Sequence, residues 1–174
     1  MRAILLSGAF ALFVSLLGTR VAINQFRRLG LGQQIRDDGP TTHHTKMGTP
    51  TMGGVVIILA TVSAYFLAKL VTMTPPTGSA LLLLLLFVGL GAVGFLDDYI
   101  KIIKQRSLGL RSKAKMIGQT AVALIFGGLA LSPWLEDENG LTPASKHISF
   151  IRDWESFALP TVVVMALILS LIHI

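Results

Sequence analysis

Five runs of apolar residues constrain this chain more than anything else in it. They lie at about 3–23, interrupted only by Gly18-Thr19-Arg20, and at 52–71, 80–96, 114–131 and 157–172. Each comes close to the ~20 residues a helix needs to cross a hydrocarbon core, once tilt and ragged ends are allowed for. Composition agrees, since 52% of the 174 residues are hydrophobic and only 14% are charged. A soluble domain carries nearer a quarter. The chain is therefore expected to be an all-α integral membrane protein with about five transmembrane helices. Arg2 ahead of the first run suits a signal peptide, but no small-x-small cleavage site follows and further spans lie downstream, so the first run reads as a membrane helix.

Orientation follows from the basic residues. The loop 24–50 holds Arg27, Arg28, Arg36 and Lys46, and the loop 97–115 holds Lys101, Lys104, Arg106, Arg111, Lys113 and Lys115. Between them, 72–79 is uncharged, while 132–156 sets Lys146 and Arg152 against Glu136, Asp137, Glu138, Asp153 and Glu155. The positive-inside rule puts the N-terminus outside and both basic loops in the cytoplasm. A net charge of +6 then reflects topology and attraction for anionic headgroups or substrates, and a nucleic-acid partner is not expected. There is no cysteine, which excludes disulfides and thiolate metal sites. His43, His44, His147 and His173 are too scattered for a zinc site of their own.

The third run ends in Gly94-Phe95-Leu96-Asp97-Asp98-Tyr99-Ile100-Lys101. Acids at a bilayer boundary are a functional-site hypothesis, because a charge in the membrane is disfavoured by roughly 2.5–3.5 kcal/mol. On a continuing helix Lys101 is within ion-pair reach of both, so a capping cluster that pins the helix end is the structural alternative. One lysine does not neutralise two carboxylates, and adjacent helical residues point about 100° apart. One acid is thus expected to face a metal, a substrate cation or a transferable proton.

Two helix starts flank this site in sequence. Thr49 as N-cap with Pro50 at the first helical position would open the second span beside Lys46, a ready anion site. Within 39–54, Gly39-Pro40 and Gly48 turn the chain, His43 and His44 read as solvated, and Gly53-Gly54 would admit a close neighbour. Asp37 and Asp38 read as turn formers. Before the fourth span, Ser112 as N-cap would place Lys113 and Lys115 in the first turn. That is the wrong end of the helix dipole for cations, unless an anion lies between them. Lys113 is read as a phosphate contact, Lys115 as positive flanking. Gly89, Gly91, Gly94 and Gly127-Gly128 mark close helix contacts, and Pro133, Gly140 and Pro143 suggest turns in a short outer hairpin.

The stretch Lys46-Met47-Gly48-Thr49-Pro50-Thr51-Met52-Gly53-Gly54, the Gly39-Pro40 before it, the 94–101 stretch and Gly109-Leu110-x-x-Lys113 together resemble the phospho-N-acetylmuramoyl-pentapeptide transferases. These belong to the polyprenyl-phosphate sugar-phosphate transferase superfamily, and the resemblance runs from about residue 2 to about 167. It implies a Mg²⁺-dependent transfer of phospho-MurNAc-pentapeptide from UDP-MurNAc-pentapeptide to undecaprenyl phosphate, giving lipid I and UMP in peptidoglycan synthesis. The implied setting is the bacterial inner membrane with the active face cytoplasmic, and a homodimer is left open. By motif match Asp97 and Asp98 are the paired catalytic acids, with Asp97 accepting the lipid phosphate's proton, and Lys46, Thr51, Lys101 and Lys113 hold phosphates. The metal ligands are not assigned.

Family members are considerably longer. Their later loops carry an Asn/Asp-rich motif, a Gly-Asp-x-Gly-Ser-like motif whose aspartate ligates magnesium, and a histidine cluster, none of which occurs here; Met47 also stands where a basic residue is usual. On that basis 1–168 is expected to be the N-terminal half of a polytopic transferase domain, inactive alone. Leu169-Ser170-Leu171-Ile172-His173-Ile174 matches the translation of a transposon-library adaptor and is expected to be a non-native tail. The alternatives are another polyprenyl-phosphate HexNAc-1-phosphate transferase, or a non-catalytic or transporter-like membrane fragment.

Overall fold

The computed structural model describes residues 2–28, 52–104, 108–136, 142–144 and 159–172. Among them the regular elements are all helical: α1 (Arg2–Arg28), α2 (Gly53–Val71), α3 (Gly78–Ile103), α4 (Ser112–Ala130), a 3₁₀ turn (Pro133–Leu135) and α5 (Thr161–Ile172). Each of the five apolar runs thus contains a helix, and the chain is an all-α integral membrane protein. Helices satisfy every interior backbone donor and acceptor within the segment, which a hydrocarbon environment demands. Among the described residues α1, α2 and α3 are long and apolar enough to cross a membrane.

Surface chemistry fits that environment. Large apolar side chains face outward along α1, with Ile4 and Leu5 both 71% exposed, an arrangement that water would penalise and lipid would not. Hydroxyls on these helices bond back to their own backbone: Ser7 to Ile4 O, Ser15 to Leu12 O, Thr61 to Ile57 O and Ser63 to Ala60 O. Such bonds satisfy the hydroxyl without water.

Two compact units divide the chain. The first comprises Met1–Pro75 and Gly91–Lys115, the second Pro76–Leu90 and Met116–Ile174. In the first, α1 packs on α2, and a Cβ on Gly18 would lie 2.9 Å from Val56 Cγ1. Gly91 likewise faces Ile58 so closely that a Cβ would overlap it. In the second, a Cβ on Gly89 would come within 2.8 Å of Val122 Cγ1, and one on Gly127 within 2.8 Å of Met165 Sδ. Ala144 N–H donates to Ala130 O at 3.0 Å, so the segment after the 3₁₀ turn returns to the end of α4. Pro133 opens that turn as expected, whereas Gly140 lies outside the described residues.

Several expected boundaries move. The described part of α2 begins at Gly53, after Met52 in a left-handed conformation with φ 73°, which no right-handed helix passes through; Thr49 and Pro50, the expected start, lie outside the described residues. Gly53 and Gly54 are then the first residues of α2, and among the described residues nothing lies within 4 Å of a Cβ built on either of them, or on Gly94 or Gly128. α5 starts at Thr161, where Pro160 O accepts from Val163 and Val164 N–H. A proline suits a helix start and not its interior, so the fifth helix is shorter than its apolar run. It continues through Leu169–Ile172.

Candidate active site

The apolar part of α3 ends at Leu96, yet the helix runs on through Ile103. At 26 residues and a rise of about 1.5 Å each, α3 is about 39 Å long, longer than a ~30 Å hydrocarbon core. Its last turns therefore suit the polar interface. Phe95 and Tyr99, one turn apart, stack at 5.7 Å between centroids, and an amphipathic Tyr is well placed at such a boundary.

On the same turns Asp97 and Asp98 take different environments. Asp97 is buried, its side chain 7% exposed, and it accepts from Lys101 Nζ at 2.7 Å and Lys115 Nζ at 3.0 Å on Oδ2. Its other oxygen accepts from Leu110 N–H at 2.7 Å. Asp98 is 31% exposed, and its partner among the described residues is Lys101, 3.0 Å away on Oδ1. A buried carboxylate is tolerable only when paired and hydrogen-bonded, and Asp97 is both.

The donors from outside α3 arrive through one tight passage. Gly109 runs so close to Asp97 that a Cβ there would overlap Oδ1 and lie 2.6 Å from the Asp97 carbonyl oxygen. Only glycine permits that approach. Leu110 then presents its N–H, and α4 begins, with Arg111 O accepting the first helical bond from Lys115 N–H at 3.1 Å. Arg111 thus stands at the cap position expected for Ser112, one residue earlier. Lys113 and Lys115 lie in the first turn, as expected.

The expected residues divide accordingly. Asp97, Asp98 and Lys101 form one cluster. Lys113 is exposed and has no ion-pair partner among the described residues, so it stands apart from that cluster. Lys46 and Thr51 lie outside the described residues, with Gly39-Pro40, His43 and His44. Lys115, read from sequence as flanking charge, instead completes the cluster, so two lysines meet the two acids and the single-lysine count is corrected. The signal that could have found it was the cation at the positive end of a helix dipole: the anion that relieves it is Asp97.

A divalent ion can be weighed against this donor set. Among the described residues no three His, Cys, Asp or Glu side chains converge. Asp97 has its oxygens engaged by three donors, whereas Asp98 has one oxygen without a partner among the described residues. Mg²⁺ is commonly held by one or two carboxylates with substrate phosphates and water, and Asp98 fits one such position.

Residues 46–58, which run into the start of α2, match the phospho-N-acetylmuramoyl-pentapeptide-transferase signature 1. Over 168 residues the chain is 74% identical to the phospho-N-acetylmuramoyl-pentapeptide-transferase of a Nocardioides species, covering 97% of this chain and 46% of the relative. The chain belongs to the phospho-N-acetylmuramoyl-pentapeptide-transferase family. Transferases of that name from Kineococcus radiotolerans and Streptomyces avermitilis are 59% and 56% identical, over 88% of this chain and 42% and 43% of theirs. The chain thus spans a little under half the length of these phospho-N-acetylmuramoyl-pentapeptide-transferases. Its apolar helices and its relatives make it a bacterial membrane protein.

Proposed function

We propose that the chain forms part of an enzyme that transfers phospho-MurNAc-pentapeptide from UDP-MurNAc-pentapeptide to undecaprenyl phosphate, giving lipid I and UMP. The observation that carries this reading is the cluster at the end of α3, in which Lys101 and Lys115 meet Asp97, and Lys101 also meets Asp98. Phosphoryl transfer asks a protein chiefly for positioning and charge neutralisation. A site at the end of a membrane helix also suits one lipid and one soluble substrate.

In this reading a lipid phosphate oxygen attacks the sugar-linked phosphorus, a new P–O bond forms, and the bond to UMP breaks. Asp97 and Asp98 are the paired acids. Asp98 is the acid with an oxygen left for the substrate side, because Asp97 already accepts from three donors. Lys101 and the exposed Lys113 neutralise phosphate charge, and Lys46 and Thr51, within the matched signature, take the same role by family resemblance. Mg²⁺, when bound, would neutralise the diphosphate, with Asp98 among its ligands. We read this face as cytoplasmic, at the inner membrane, a reading that the basic loops support.

The test is UMP release from the UDP-linked substrate with undecaprenyl phosphate, by an active enzyme carrying this segment. Turnover should need Mg²⁺ and stop on chelation; full turnover in a chelator would contradict the reading. The 174-residue chain alone should release no UMP. For sidedness, the absence of cysteine allows single-site labelling. Leu108→Cys should react with impermeant reagent only from the cytoplasmic side, and Thr77→Cys only from the other; the reverse pattern would overturn the orientation.

A further inference from the structure

We infer that Lys115, acting with the Gly109-Leu110 passage, is a positioning residue that fixes the Asp97 carboxylate and thereby leaves Lys101 free to serve Asp98. The inference rests on the transferase reading for its catalytic consequence, but its structural core stands apart from it.

Three observations converge. Both Asp97 oxygens are held by groups brought from beyond α3: Leu110 N–H on Oδ1 at 2.7 Å and Lys115 Nζ on Oδ2 at 3.0 Å. Gly109 lies where a side chain could not, so the passage closes directly over the carboxylate. Lys115 also sits in the first turn of α4, where the dipole opposes a cation; Asp97 is its ion-pair partner among the described residues. A lysine placed there for solvent or lipid headgroups alone would not need a buried carboxylate.

Lys101 bridges the two acids, 2.7 Å from Asp97 and 3.0 Å from Asp98. With Lys115 sharing the Asp97 charge, Lys101 can loosen from Asp97 and follow Asp98 or an incoming phosphate. Without Lys115, the buried carboxylate has one ammonium left and holds it. Lys115 itself does not touch substrate in this account, so its loss should act on turnover rather than on affinity.

The experiment has two arms. In the first, the 174-residue chain, labelled with ¹⁵N-leucine in detergent micelles, reports the Leu110 amide, which should resonate downfield and exchange slowly as a donor to a carboxylate. Lys115→Met keeps the apolar stem and removes the charge; the Leu110 signal should move upfield and exchange roughly tenfold faster. Lys115→Arg should leave it in place. An unchanged signal in Lys115→Met overturns the inference. Should that variant not fold, Lys115→Arg decides the point, and loss of the downfield signal there overturns it.

In the second arm, UMP release by an active enzyme carrying the segment should show kcat about 10- to 100-fold lower for Lys115→Met. KM should stay within about twofold, and Lys115→Arg should recover most of the loss. A raised KM with unchanged kcat would make Lys115 a substrate ligand and end the positioning role. If Asp97→Asn and Asp98→Asn both turn over normally while the Leu110 arm succeeds, the transferase assignment of the acids fails and the clamp survives.

Discussion

The starts of α2 and α4 carry the same kind of sequence signal: glycine, a hydroxyl and a lysine ahead of an apolar helix. The structure resolves them in opposite ways. At α4, Gly109 admits the chain against Asp97, and Lys115 in the first turn is engaged by that buried carboxylate. At α2, the helix opens from a left-handed Met52 without a side-chain cap, and among the described residues nothing lies close to Gly53-Gly54. A basic helix start is therefore not by itself a vacant anion site, because the chain's own acids compete for it. The α4 start is organised around an internal anion, and the α2 start lies within the matched signature with no described residue against its glycines.

That contrast makes the two glycine positions respond with opposite sign. Gly109→Ala forces a methyl into Asp97 and should destabilise by about 1–3 kcal/mol, read as a lower midpoint of thermal unfolding in detergent. An unchanged midpoint would mean that the passage is looser than described. Next in size, Lys113→Ala should weaken apparent affinity for the UDP-linked substrate by about tenfold, or ~1.4 kcal/mol. It should leave the Asp97 cluster intact, because Lys113 is exposed and stands apart from it; equal loss of kcat and of the Leu110 amide signal would contradict this separation. The smallest effect is at Gly54→Ala, where no described residue obstructs a methyl. Removing a helical glycine there should stabilise by about 0.5–1 kcal/mol. Destabilisation by Gly54→Ala would show that the space is needed.

Existence of the helices was legible in the chain, because apolar runs of this length have few other ways to satisfy their backbone. Their ends were less so. The apolar pattern stops at Leu96, while the helix continues through charged residues that bond to one another on successive turns. Pro160 trims the fifth helix, and the left-handed turn at Met52 has no marker in local composition. Glycines announced close packing at Gly89, Gly91 and Gly127, while among the described residues none is seen at Gly94 or Gly128, since a missing side chain does not say which neighbour faces it. At the site, local spacing gave Lys101, one turn from Asp97. Lys115 comes from the next helix, beyond the reach of any spacing rule, and only the unfavourable dipole at its position hinted that a carboxylate was near.

The central claim is that the acids ending α3 carry chemistry and do more than cap a membrane helix. It is tested most directly by single-turnover UMP release in an active enzyme carrying this segment, comparing Asp97→Asn and Asp98→Asn with the parent at matched folded protein. Both substitutions should lower the rate by about 100-fold or more; near-normal rates in both, with the Lys101 and Lys115 pairs merely loosened, would leave the cluster as a structural cap and contradict the account.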